Sequence, residues 1–365
     1  MFSFIVRRLL LLPVVFVGVT LAIVLLMQLL TPYQRAAAYV QSEQQIRQIP
    51  AIIEQFGLED PWYMQYGRWL GQVFEGNLGY SRTSREPVLT TLQRRFPVTL
   101  ELALIAIIPV LGVGITMGTA AALNRDRFFD QFTRVVSVIG WSLPTFVLGI
   151  WLLVIFYGWL GWFQPGRIST RFAVELAGAS GFTSYTRMLT IDSLLNGRLD
   201  IFLDALKHMV LPVVTLAVVQ SAQIMRVMRS SLLDALGQDY VRTARAKGLP
   251  AWMVVGKHAL KNVMVPVITV IGISFGLLLS GSVVIETVYS LPGMGRLLAN
   301  AVFGRDYPMI QGGLLVTAAV LVLLNLVGTP LGLPIGINLL TIATAAVLGF
   351  PGVTALAVSR LILKL

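Results

Sequence analysis

Apolar residues run through this chain in long blocks separated by polar segments. The blocks fall at about residues 9–30, 98–122, 134–160, 207–227, 263–285 and 309–327. A helix of about 20 apolar residues crosses a hydrocarbon core about 30 Å thick. The pattern therefore predicts an all-α polytopic membrane protein with six spans. The first block follows Arg7 and Arg8. It exceeds the apolar core of about 7–15 residues typical of a secretory signal, so it reads as a retained span with a cytoplasmic N-terminus.

The polar segments alternate in charge. Arg125, Arg127 and Arg134 bracket a short loop, and loop 228–262 holds Arg229, Arg242, Arg245, Lys247, Lys257 and Lys261 against Asp234 and Asp239. Excess Lys and Arg marks the cytoplasmic side. Residues 32–96 and 161–206 are close to charge-balanced, and with 286–308 they read as external. The expected organisation is a first span over 1–31, an external segment over 32–96, and a core of five spans over 97–327. An atypical hydrophobic tail occupies 328–365.

Within loop 228–262, Leu232, Leu233, Leu236, Tyr240, Val241 and Ala244 recur at helical spacing, with Asp234, Gln238, Asp239, Arg242 and Arg245 opposite. Arg245 and Lys247 suit the negative end of a helix. Gly248 suits a C-terminal cap, and Pro250 suits the first turn of a second helix. The loop thus predicts two short helices around a hinge. A basic loop lying on the lipid surface is the alternative on spacing and charge alone.

Composition narrows the chemistry. Hydrophobic residues make up 56% of the chain and charged residues 12%, about half the charge of a soluble domain. The formal net charge of +11 is scattered over span ends and forms no stripe of the kind that binds nucleic acid. Without cysteine, thiolate metal sites and cysteine nucleophiles are excluded. His208 and His258 fall on opposite membrane sides in this topology, so neither a metal nor a cofactor is expected in the chain. No phosphate-binding G-x-x-x-x-G-K-[ST] loop occurs, so the chain is not expected to hydrolyse ATP.

Polar groups within the spans are the candidates for a translocation path: Gln220, Ser221 and Gln223 in the fourth span, and Ser282 with Ser274 and Ser280 in the fifth. Interhelical hydrogen bonding competes with that reading. Gly114 and Gly118, then Gly272, Gly276 and Ser280, recur every fourth residue, as close helix contacts require. Glu101 follows Pro97 and Thr99, where the positive end of a helix favours it. Glu286 is expected at the external edge of the fifth span.

The run DYVRTARAKGLPAWMVVGKHALKNVMVP, residues 239–266, resembles the cytoplasmic coupling loop of bacterial ABC-importer permeases, most closely the dipeptide, oligopeptide and nickel branch. The family pattern is Glu-Ala-Ala, three residues, Gly, nine residues, then Ile-x-Leu-Pro. Gly248 and Ala244 fill the glycine and second alanine, Arg242 and Thr243 replace Glu and the first Ala, and residues 258–262 occupy the Ile-x-Leu-Pro region. Residues 56–81 and 281–298, followed by Asp306-Tyr307-Pro308, resemble family segments as well, and Ser142-Leu143-Pro144-Thr145-Phe146 more weakly. Thr31-Pro32-Tyr33-Gln34 stands where a Pro-Gly-Asp-Pro-like turn is usual.

The resemblance implies a transport subunit of an ATP-driven importer for peptides, nickel or another small solute. It further implies a paired homologous permease, two cytoplasmic ATPase subunits that bind the ATP, and an extracytoplasmic solute-binding protein. Tyr240, Arg242, Thr243, Ala244, Arg245, Lys247 and Gly248 would then form the ATPase-coupling loop. Two rivals remain from the sequence: an ion-gradient-driven carrier, and a membrane regulator of an intramembrane protease. The second rests only on the tail, which faintly resembles a sporulation protein that restrains such a protease. Pro351-Gly352 there suggests two half-length helices.

Overall fold

The computed structural model describes residues 48–178, 181–281 and 283–328, with positions 17–18, 20–21, 24–25, 27–36 and 39–40. Most of the first apolar block, Ser282 and the tail beyond Gly328 lie outside the described residues. Among the described residues the elements are helical apart from one short hairpin. In order they are α1 (Pro32–Ala36), α2 (Ile49–Phe56), α3 (Trp62–Phe74), β1 (Tyr80–Ser81), β2 (Glu86–Pro87), α4 (Val88–Leu123), α5 (Phe128–Ser142) and α6 (Thr145–Leu152). Then come α7 (Thr170–Gly178), α8 (Leu189–Leu195), α9 (Leu199–Leu236), α10 (Asp239–Ala246), α11 (Ala251–Met253), α12 (Leu260–Gly281), α13 (Val283–Val288), α14 (Met294–Phe303) and α15 (Tyr307–Gly328). π-helical turns Leu153–Trp159 and Val254–Ala259 follow α6 and α11.

Among the described residues, three helices are long and apolar enough to cross a membrane: Val88–Leu123, Leu199–Leu236 and the continuous run Ala251–Gly276. A fourth span results if α5 and the run Thr145–Trp159, bent by 99°, act together. That bend departs from the single helix expected over 134–160. Its cause is local: Pro144 pushes the preceding residue out of the α region, and Leu143 is extended at ψ 122°. At 1.5 Å per residue, the 38 residues of α9 extend about 57 Å, well beyond the hydrocarbon core. Part of α9 therefore lies outside the hydrocarbon core.

Contacts divide the chain into two units, one combining Met1–Val98 with Pro292–Val327 and the other spanning Thr99–Leu291. In the first, β1 pairs antiparallel with β2, Tyr80 opposite Pro87 and Ser81 opposite Glu86. The buried Asp306 carboxylate holds the hairpin turn, accepting from Ser81 Oγ at 2.6 Å, Thr83 N at 2.8 Å and Thr83 Oγ1. Val88, Leu92, Met294, Leu297, Ala301 and Met309 form the local core.

The second unit is built around α9. At Gly114 an added Cβ would stand 2.7 Å from Ile224 Cγ2, and at Gly118 2.7 Å from the Met225 carbonyl. These two glycines let α4 approach α9, as their spacing predicts. Gly276 behaves differently: an added Cβ would meet nothing within 4 Å. Among the described residues nothing packs on that point of α12.

The two carboxylates nearest the apolar blocks are both buried and bonded. Glu101 accepts from Thr190 N at 2.6 Å and Oγ1 at 2.7 Å, and pairs with Arg167 at 2.8 Å. It lies well inside α4 because that helix starts at Val88 and passes through Pro97. An ion pair and hydrogen bonds stabilise its charge, not a helix terminus as the sequence suggested. Glu286 accepts from Thr99 Oγ1 at 2.6 Å. Tyr289, also buried, bonds Thr215 Oγ1 at 2.7 Å and the Gly149 carbonyl at 3.2 Å.

Candidate functional site

The strongest candidate is the elbow that follows α9. Its first arm, α10, is eight residues long and short of the length at which an isolated helix is stable in water. Packing supplies the difference. Val241 and Ala244 are buried in a cluster with Leu232, Ala235, Val254, Ala259 and Val263. Full burial of a valine side chain contributes about 1.5–3 kcal/mol. The arm is thus seated on α9 and on the start of the next span by one face only.

The hinge is a Schellman motif. Gly248 adopts the left-handed φ of +75°, which glycine takes without penalty. Gly248 N donates to the Arg245 carbonyl at 2.9 Å, and Leu249 N donates to the Ala244 carbonyl at 3.4 Å. These are the two bonds that close a helix in this way. Leu249 packs against the same apolar cluster as Ala244. Pro250 at φ −65° then caps α11, and the chain continues through the π turn into α12.

The opposite face is exposed and basic. Tyr240, Arg242, Thr243, Arg245, Lys247 and Gly248 are all exposed, as is Trp252 beyond the hinge. Arg242 Nη1 meets Asp239 Oδ1 at 3.2 Å, with both side chains in solvent; such a pair contributes little stability. Six of the seven coupling-loop residues expected from the sequence therefore share one accessible surface, while Ala244 anchors it from beneath.

A buried charge cluster stiffens the base of the elbow. Asp130 is inaccessible to solvent and takes Arg229 of α9 at 2.5 Å and Arg134 of α5 at 2.9 Å. Its second oxygen also accepts from Asp126 N at 2.9 Å. The Asp130–Arg134 spacing of four residues is visible in the sequence; the partner Arg229, 99 residues away, is not.

The candidate path residues sit apart from the elbow. Ser221 and Gln223 are buried and Gln220 half-buried on α9. An added Cβ on Gly114 would lie 3.4 Å from the Ser221 carbonyl, so this turn is closely packed against α4. Ser282 lies outside the described residues. Ser274 is buried, and its hydroxyl has no hydrogen-bond partner among the described residues. No group of three or more His, Cys, Asp or Glu able to hold a metal occurs among the described residues.

Comparison with known proteins agrees with this architecture. Residues 114–331 match the family described as binding-protein-dependent transport system inner membrane component, and residues 1–103 match its N-terminal region. Residues 310–362 match a SigmaK-factor processing regulatory protein, which overlaps the atypical tail. A di/tripeptide transport system permease protein of Pseudomonas aeruginosa is 40% identical over 329 residues, covering 90% of this chain and 95% of that protein. A dipeptide transport system permease protein of Escherichia coli K12 is 40% identical over 276 residues, covering 75% and 80%. One from Alkalihalophilus pseudofirmus is 34% identical over 327 residues, covering 89% and 96%.

Proposed function

Because this chain belongs to the family of binding-protein-dependent transport system inner membrane components, a membrane transport subunit whose ATPase is a separate polypeptide, we propose that it carries dipeptides and short oligopeptides inward through the cell membrane. Substrate class follows the relatives named for dipeptide and di/tripeptide transport. In this reading it has six core spans, a cytoplasmic N-terminus and a paired, related permease. An external binding protein delivers cargo, and two ATPase subunits bind the ATP.

The observation that carries the mechanism is the one-sided burial of α10. Val241 and Ala244 fix the arm to the spans, and its other face is left to a partner. An ATPase surface closing on ATP would push on Arg242, Arg245 and Lys247. The Gly248 hinge and the Asp130–Arg229 pair would pass that displacement into α9, α5 and α12 with little slack. A floppy loop would absorb the same push. Gln220, Ser221, Gln223 and Ser282 remain the proposed lining of the path, on the polar character of their side chains.

The test is uptake into vesicles holding this chain, its paired permease and the ATPase subunits, with binding protein and labelled dialanine outside. Uptake should require interior ATP and loaded binding protein. Uptake sustained by an ion gradient without ATPase subunits would overturn the reading.

A further inference from the structure

In the unit formed by Met1–Val98 and Pro292–Val327, the hairpin, the first turns of α4 and the helix α14 enclose a cavity of about 440 Å³. Its polar lining includes Thr83, Glu86, Arg94, Arg95, Arg296 and Asn300. Among the described residues of that lining, three guanidinium groups stand beside one carboxylate. Arg95 feels the repulsion of both Arg94 and Arg296 and the attraction of Glu86. Glu86 meets Arg94 at 3.1 Å, yet 35% of its side chain remains exposed. Arg82 and Arg85, both exposed on the hairpin, extend the positive field. Membrane topology offers no reason for this cluster, since excess Arg belongs on the cytoplasmic side and these residues read as external.

Like charges gathered in a partly enclosed site favour the entry of an anion. Guanidinium forks match a carboxylate in particular. Glu86 on the same wall adds the complementary requirement, a cation on the same ligand. Asn300 adds a neutral amide to the same lining. The cavity falls within the range of about 300–1,000 Å³ usual for small-molecule sites. We propose that this cavity is a binding site for a free peptide as a zwitterion, with its terminal carboxylate on Arg95 and Arg296 and its terminal ammonium at Glu86. It gives the permease a cargo contact of its own, upstream of the spans. The inference rests on the reading of the cargo as peptide and of the hairpin as external.

The test uses the full chain in lipid nanodiscs, with neither ATPase nor binding protein, and equilibrium binding of labelled dialanine. Saturable binding is expected. Dialanine amide, which lacks the carboxylate, should compete at least about tenfold more weakly, and N-acetyl-dialanine several-fold more weakly. Arg296→Gln and Glu86→Gln should weaken dialanine by similar factors. Asn300→Asp, at an exposed position of α14, should do so without burdening the fold. Absence of dialanine binding, or equal competition by the amide, overturns the inference. It is also overturned if Arg296→Gln and Asn300→Asp weaken docking of loaded binding protein but leave dialanine binding unchanged; the cavity is then a docking surface for that protein. ATP-driven uptake by the assembled complex is measured in parallel. Uptake without binding to the permease sinks only this inference. Binding without ATP-driven uptake of any peptide sinks only the functional reading.

Discussion

Substitution of Gly248 separates hinge geometry from surface chemistry. Its φ is +75°, and a Cβ added there would meet nothing within 4 Å. Gly248→Ala therefore carries no steric clash, only the left-handed backbone penalty of about 1–2 kcal/mol. Gly248→Asn should carry less, because asparagine visits that region more readily. Gly248→Pro is a different change. It imposes a φ near −65°, a swing of about 140°, and deletes the N–H that bonds Arg245 at 2.9 Å, a further cost of about 0.5–1.5 kcal/mol. Val241 and Ala244 stay in the apolar cluster, so the loss should stay at the hinge and spare insertion. Measured as cargo-stimulated ATPase activity of the assembled complex, Gly248→Pro should fall at least tenfold. Gly248→Ala should fall by roughly five- to tenfold, what the lower half of its backbone penalty, about 1–1.4 kcal/mol, would give, and Gly248→Asn should remain near the parent. Full stimulation in Gly248→Pro, or equal loss in all three variants, would refute the hinge as the element that sets the angle.

Other consequences concern the frame that holds the elbow. Asp130→Ala leaves Arg229 without its buried partner and should destabilise the protein by about 3–5 kcal/mol, read as a lower melting temperature in detergent; an unchanged melt would mean the cluster is not structural. Gly118→Ala places a methyl group 2.7 Å from the Met225 carbonyl and should cost about 1–3 kcal/mol. Gly276→Ala, with open space around it, should leave the melt of the isolated chain unaltered. Asp306→Ala removes the acceptor of Ser81 Oγ and Thr83 N; protease cleavage within Arg82–Arg85 should accelerate several-fold, and unchanged cleavage would show that the hairpin turn is held by other contacts.

Local signals made much of this legible from the sequence. The elbow could be anticipated because its parts lie within a dozen residues: apolar positions 241 and 244, a glycine that stops the helix, and a proline that starts the next. Gly114 and Gly118 declared a close approach, although their partners Ile224 and Met228 could not be read from spacing. At Gly276 no described residue lies within 4 Å of an added Cβ, and a small-residue stripe says only that a neighbour is permitted. Proline at 144 was visible and marks the place of the bend, while its size of 99° could not be read from one residue. The pairs Glu101–Arg167 and Asp130–Arg229 join residues 66 and 99 positions apart. Periodicity carries no information at that range, so Glu101 was assigned to a helix start it does not occupy.

Because the chain contains no cysteine, one introduced thiol reports on its own surroundings. Arg245→Cys lies on the exposed face of α10 and should disturb packing little. In the complete complex, a short bifunctional reagent should join that thiol to an ATPase subunit, with a yield that changes when ATP binds. An impermeant thiol reagent should label it only from the cytoplasmic side. Labelling from outside the cell, or an absence of any ATPase cross-link in a complex that transports, would contradict the elbow as the point where ATP-driven closure reaches the membrane.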